Sequence, residues 1–375
     1  MPGEPPAKHA PPGFFTRHKR GAKLFVAMLA IAGCTVATFA ARPDWWHTLK
    51  SYYGSAISSF LNAPENESLR AAMIEQLVDI YKETPAGKSL ALRDAQDRVI
   101  GRFRIDNAFV LRDQKKPRRF EVKLTGHGEL WHEKGGRVRF EGGANVTYDI
   151  DFELDHARLM AYSHFTCAKL SNVEFRLLYV DNFLARILTT VVEDAGREAM
   201  EESIKPGFTI ITRDDTESWL AQGHVGREFV PHKGPNAETD IDCDTICNDI
   251  TLLQYGFRDY LGPFEMYEGD ELRIDLNVRS LDGRDAPGVD VLIVSEEDFK
   301  RYEALYPDDL GKGTDKLELK PIMEYTNSRM LKFRRESGLK GRFYVLLDRT
   351  PWGRGNQVPN ESPAEVNYYG RIKRR

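Results

Sequence analysis

From Val146 to Leu154 every second residue is apolar, with Val146, Tyr148, Ile150, Phe152 and Leu154 separated by Thr147, Asp149, Asp151 and Glu153. A period of two sends successive side chains to opposite faces of an extended strand, so this stretch buries one face and wets the other. The stretches Val99 to Leu111, Arg119 to Trp131 and Val173 to Tyr179 behave similarly. Lys134-Gly135-Gly136 and Gly142-Gly143 supply turn chemistry between them. Residues 89–179 are therefore expected to form a curved antiparallel meander.

The period changes on both sides of it. Glu67 to Thr84 places Leu69, Met73, Leu77 and Ile80 at spacings of three and four, and Pro85 and Gly87 end the pattern. Asn182 to Ile204 does the same with Phe183, Ile187, Leu188, Val191, Val192, Ala195 and Met200 before Pro206-Gly207. The expectation for 67–221 is an α+β domain in which two amphipathic helices bracket the sheet.

Leu24 to Ala41 is an uncharged run of 18 residues, just long enough to cross a bilayer as a helix. Arg17, Lys19, Arg20 and Lys23 precede it, which places the N-terminus in the cytoplasm and the rest of the chain outside, in a periplasm or extracellular space. Residues 1–23 then form a disordered basic tail, 24–41 an anchor, and 42–66 a juxtamembrane stalk, with Trp45 and Trp46 at the outer interface. Two other readings use the same residues. Ile31-Ala32-Gly33-Cys34 fits a bacterial lipoprotein box with Cys34 as the lipidated residue, and Ala40 and Ala41 fit a cleaved secretory signal.

Chemistry is sparse in the sequence. No Gly-rich phosphate loop, H-E-x-x-H motif or nucleophile elbow is present, and a net charge of -4 gives no drive toward nucleic acid. No cofactor and no catalytic set are expected. His127, Glu129, His132 and Glu133 fall within one strand and its turn, where His127 and Glu129 share a face. They read as a solvated hairpin end, or as a divergent acid–base or metal site if a cleft forms there. Asp240, Asp242 and Asp244 begin like a calcium loop, but Thr245 and Thr251 stand where an EF-hand needs Gly and Glu. Of four cysteines, Cys243 and Cys247 are spaced to close a small disulfide loop if the compartment is oxidising. Asn66, Asn145 and Asn360 begin glycosylation sequons, and Arg371, Lys373, Arg374 and Arg375 form a basic tail.

Residues 222–249, rich in Gly, Pro and charge up to Asp242, read as a linker before an all-β sandwich over 250–375. Its expected strands are Glu271 to Val278, Val289 to Val294, Met330 to Arg334, Arg342 to Leu347 and Glu365 to Ile372, with a helix from Glu296 to Leu305. Tyr267-Glu268-Gly269-Asp270 leading into Leu272 to Leu276, then Val289 to Val294 leading into Glu296 to Tyr302, and later Ser337 to Asp348, resembles GOLD-type and bacterial pre-peptidase-like β-sandwich modules. That resemblance spans about 120 residues of the 375 and departs from the modules in a long insertion from Tyr306 to Pro321; it implies a non-enzymatic interaction module.

Taken together, the sequence predicts a membrane-anchored, exported binding or assembly protein of the cell envelope, partnered by another envelope protein. The alternative is a carrier of lipid or another apolar ligand, with its pocket between the 89–179 sheet and the 182–204 helix. A divergent enzyme is the second alternative.

Overall fold

The computed structural model describes residues 56–72, 74, 86–112, 119–155, 160–181, 189–215, 218–225, 243–266, 268–283, 285–304, 319–335, 340–351, 353–355 and 362–373. The anchor at 24–41, Cys34, Asp240, Asp242, Asn360, Leu305 and the 306–318 part of the insertion lie outside them.

The chain is mostly β. Strands β1 (Ser89–Arg93), β2 (Val99–Arg112), β3 (Arg119–His132), β4 (Gly136–Asp155) and β5 (Met160–Val180) precede helix α1 (Thr189–Ile204), and β6 (Phe208–Asp215) and β7 (Ser218–Val225) follow it. The second half runs β8 (Cys243–Leu253), β9 (Arg258–Met266), β10 (Glu271–Ser280), β11 (Val289–Ser295), α2 (Glu296–Ala304), β12 (Met323–Ser328), β13 (Met330–Arg335), β14 (Gly341–Asp348) and β15 (Ala364–Lys373).

Both halves share one sheet of eleven strands in the order β13-β10-β15-β8-β2-β3-β4-β5-β6-β7, with β1 on β2, while β12-β11-β14-β9 form a second sheet. Neighbours are antiparallel except at the seam, where β2 meets β8 in parallel at Val99 and Thr251. Thr251 Oγ1 donates to the Val99 carbonyl at 3.1 Å and fastens that short contact.

In the first half the expected alternation holds. Phe120, Val122 and Leu124 of β3 and Val146, Tyr148, Ile150 and Phe152 of β4 point into one core. Helix α1 covers this face with Val192, Ala199, Met200 and Ile204. Gly196 lets α1 sit against the Phe175 ring, because a Cβ there would overlap it. The helix is described from Thr189, so 182–188 fall outside the described residues. Segment 56–62, expected in a stalk, is instead helical and packs on the meander. Leu61 is buried in the same core. The Asn62 side chain donates to the Phe152 carbonyl at 2.7 Å and accepts from its amide at 2.9 Å, so it serves the edge of β4 as a neighbouring strand would. The 67–72 helix adds Arg70, buried and donating to the Asn62 carbonyl at 3.0 Å.

The second half is a β-sandwich. Leu272, Ile274 and Leu276 of β10 with Val366 and Tyr368 of β15 face Val291 and Ile293 of β11 and Val345 and Leu347 of β14. β11 is buried on both faces, because its other side carries Leu292 and Val294 against Phe299 and Tyr302 of α2.

Several expectations are corrected here. The linker is shorter than expected, since β7 runs to Val225 and β8 starts at Cys243. Cys243 and Cys247 are not bridged to one another. Both lie on β8, and an extended strand separates residues four apart by roughly 13 Å, beyond the reach of a disulfide. Asp244 pairs with Ile372 inside that strand, so the start of the would-be calcium loop is a sheet position. Among the described residues no His, Cys, Asp and Glu grouping fits a metal ion. Arg371 is no solvated tail, because it is buried and ion-paired with Asp275. Among the described residues no helix is long and apolar enough to cross a membrane.

A candidate ligand cavity at the junction of the two halves

The face of β2–β5 opposite α1 is polar, and the register makes it a chequerboard. Arg102 lies across from Glu129, Glu129 from Arg139, and Arg139 from Tyr179. One step along, Arg104 lies across from His127, His127 from Glu141, and Glu141 from Arg176. Arg102–Glu129, Glu129–Arg139 and Glu141–Arg176 set opposite charges across neighbouring strands, an arrangement that is modestly stabilising.

The sandwich docks on this face through ions. Arg102 donates through Nε (2.6 Å) and Nη2 (3.2 Å) to Asp259 of β9, with both side chains buried. Arg104 pairs with Glu303 of α2, and Arg93 with Asp249 of β8. Lys88 Nζ donates to Glu265 at 2.8 Å. Burial pushes the Lys88 ammonium below its usual range, and Glu265 works against that fall. Guanidiniums also lie over the sandwich's rings: Arg102 5.7 Å from Tyr260, Arg104 5.6 Å from Phe299, and Arg258 4.4 Å from Tyr302. Burial raises the Tyr260 phenol to about 12 and raises Tyr302 as well.

Docking leaves a cavity of about 690 Å³ between the two halves. Its walls include Arg139 and Phe140 of β4, Leu178 of β5, Phe257 and Tyr260 beside or on β9, and Tyr302 of α2. Close approach of β3 to β2 shapes one wall, since a Cβ on Gly126 would overlap the Arg104 carbonyl.

Glu129 is the cavity's distinctive group. Both of its carboxylate oxygens are buried, and among the described residues neither has a hydrogen-bond partner. Arg137 Nε and Arg139 Nε approach only to 3.6 Å. Burial pushes the Glu129 carboxyl up to about 7, against the pull of Arg258, Arg139 and Arg137. An acid that changes charge near neutrality while enclosed can hold or release a proton in response to what binds beside it.

Of the sequence candidates, His127 and Glu129 come together in this cavity, which corrects the reading of Glu129 as part of a solvated hairpin end. His127 is half-exposed, with Nδ1 2.8 Å from Asp106 Oδ2. His132 lies elsewhere. Its Nδ1 accepts from the Gly135 amide at 3.1 Å, and burial lowers its pKa. It lines a second cleft of about 490 Å³ between α1 and the β1–β2 hairpin, which is charged with Arg93, Asp94, Asp97, Glu198, Glu202 and Lys205. Glu133 is exposed in the turn. The sequence reading passed over Arg102, Arg104, Arg139, Arg258, Asp259 and Glu303. Their one local signal was the alternation of Arg102, Arg104 and Asp106 along β2.

No family model matches this chain, and no curated protein matches it. A solved structure of the SMP domain and two C2 domains of extended synaptotagmin 2 has 9% identity over 88% of this chain and 68% of that one, with a TM-score of 0.15. A likeness that low supports no statement about fold or function.

Proposed function

We propose that this chain is a binding protein of a cell envelope, tethered to a membrane through residues 24–41, which holds a small amphipathic ligand between its two β halves. The cavity carries this reading. Its volume of about 690 Å³ lies within the range of ~300–1,000 Å³ common for small-molecule sites. Aromatic rings and a few convergent polar groups line it, as such sites require. The uncharged run from Leu24 to Ala41 behind a basic cluster supports the tether, with lipidation at Cys34 as its other form.

The resemblance of the 267–348 region to GOLD-type modules supports a non-catalytic part for the sandwich, here as the wall that closes the cavity. The carrier reading keeps its support from the aromatic walls and from Leu178, exposed at the cavity. Its pocket moves, however, from the α1 side of the sheet to the opposite face, since α1 packs its apolar residues into the meander core.

Native mass spectrometry of the full chain, released from its membrane in amphipol, tests the proposal. A bound small molecule is expected, and His127→Trp, which fills the cavity from a half-exposed strand position, should release it. Repeated absence of any bound species, with no binding from a small-molecule extract of the source cells, would overturn it.

A further inference from the structure

We infer that this protein pairs with a second copy of itself along the outer edge of β5, the two strands running antiparallel about a two-fold axis at Phe175.

Most of that edge lacks a neighbouring strand. β4 accompanies β5 from Met160 to Val180, whereas β6 takes only Met160 to Phe165 on the other side. Among the described residues no strand lies beside residues 166–178 on that side. Val173, Phe175 and Leu177 pack against the meander core yet stay half-buried, because the sheet stops at them. A long edge backed by apolar side chains is a template for one more strand. A groove of about 450 Å³ beside residues 167–173, with Glu201 and Lys205 of α1 on its other wall, leaves space for one.

The order of residues along the edge selects a second copy as that strand. A two-fold axis sets each residue opposite another of the same strand, so the edge must complement its own reverse. With Phe175 opposite itself, Glu174 of each copy meets Arg176 of the other, both on the face that lines the cavity. On the core face Val173 meets Leu177 and Leu170 meets Val180, all of them core residues or packed against the core. Lys169 then meets Asp181. The ladder to β4 is irregular near Asn172, which has a φ of 50°, and again at Leu178. These two irregular points also fall opposite each other. The second copy's Val180, lying beside Leu170, stops short of Phe165, where β6 begins to occupy the same lane.

Neighbouring registers fail. A slip by one residue sets core-facing side chains against cavity-facing ones. The two nearest slips that keep the faces matched put Glu174 opposite Glu174, or Arg176 opposite Arg176, at the axis. The charges that deter other strands therefore admit this one. Arg176 is already ion-paired with Glu141, and pairing sets it between two carboxylates. Because Glu174, Arg176 and Leu178 line the cavity, the second copy comes to its rim.

Sedimentation velocity of the full chain in dodecyl maltoside tests this with two charge reversals at exposed positions. The wild type is expected to be dimeric at micromolar concentrations. Glu174→Arg alone and Arg176→Glu alone each set like charges across the axis twice, so each should weaken the dimer by about tenfold or more. Mixing the two variants restores opposite charges at both places and should restore the dimer. A wild type that stays monomeric would overturn the interface. So would a dimer that neither reversal weakens, since it would join elsewhere, or two weakened variants that fail to pair when mixed.

Discussion

Glu129→Gln should change how stability depends on pH, and the size of the change follows from the burial of one carboxyl. The folded chain raises this acid from its ordinary 4.5 to about 7. At ~1.4 kcal/mol per pH unit, that interval is about 3 kcal/mol. Because the folded chain holds the proton more tightly than the unfolded chain, the contribution is complete below about pH 4.5 and is lost as pH rises through about 7. The amide that replaces the carboxyl does not titrate. The variant should therefore gain on the wild type between about pH 5 and about pH 8, by an amount approaching 3 kcal/mol. Urea unfolding followed by far-UV circular dichroism at several pH values measures the difference directly. The Asp348 carboxyl, also pushed up by burial, titrates in both proteins and cancels. A difference that stays constant across this range, or that favours the wild type as pH rises, would refute the claim that Glu129 is enclosed and poorly served by its arginines.

The other predictions concern packing, docking and attachment. Arg102→Met leaves Asp259 as a buried unpaired charge and should cost ~3–5 kcal/mol, whereas Arg102→Met with Asp259→Leu should return most of that loss in the same unfolding assay. Gly196→Ala would gain up to ~1 kcal/mol in an isolated helix. Here the new methyl overlaps Phe175, so a loss of ~1–3 kcal/mol is expected and a gain would refute the packing of α1. A reductant should leave the melting temperature unchanged, since Cys243 and Cys247 are not bridged. Removal of residues 1–41 should move the chain from the membrane to the soluble fraction on cell fractionation.

How far the sequence foretold the structure depended on what each strand packs against. Where one face meets a core and the other meets water, as in Val146 to Leu154, the period of two was enough. Where a helix covers the second face, as on β11, the unbroken apolar run from Val291 to Val294 marked the strand equally well. The failures have particular causes. β9 carries Gly262-Pro263 in its middle, which reads as a turn; it is an edge strand paired with β14, and a proline is tolerated there. β12 is a short edge strand of largely polar residues. The start of β8 looked like linker because Asp244 and Asn248 interrupt it.

The junction was half legible for a deeper reason. A polar strand face reads the same in sequence whether water or another domain covers it. Arg102 and Asp259 are separated by 157 residues, and Arg104 and Glu303 by 199, so no local period records that they meet. What distinguishes a covered polar face is whether its charges find partners of good geometry once the second half docks. Arg102 finds Asp259 at 2.6 Å and Lys88 finds Glu265 at 2.8 Å. Glu129 was singled out in the sequence beside His127, yet docking brings it no donor within hydrogen-bonding distance among the described residues. Ionised burial without such a donor costs more than its arginines return, which is why burial raises this carboxyl to about 7.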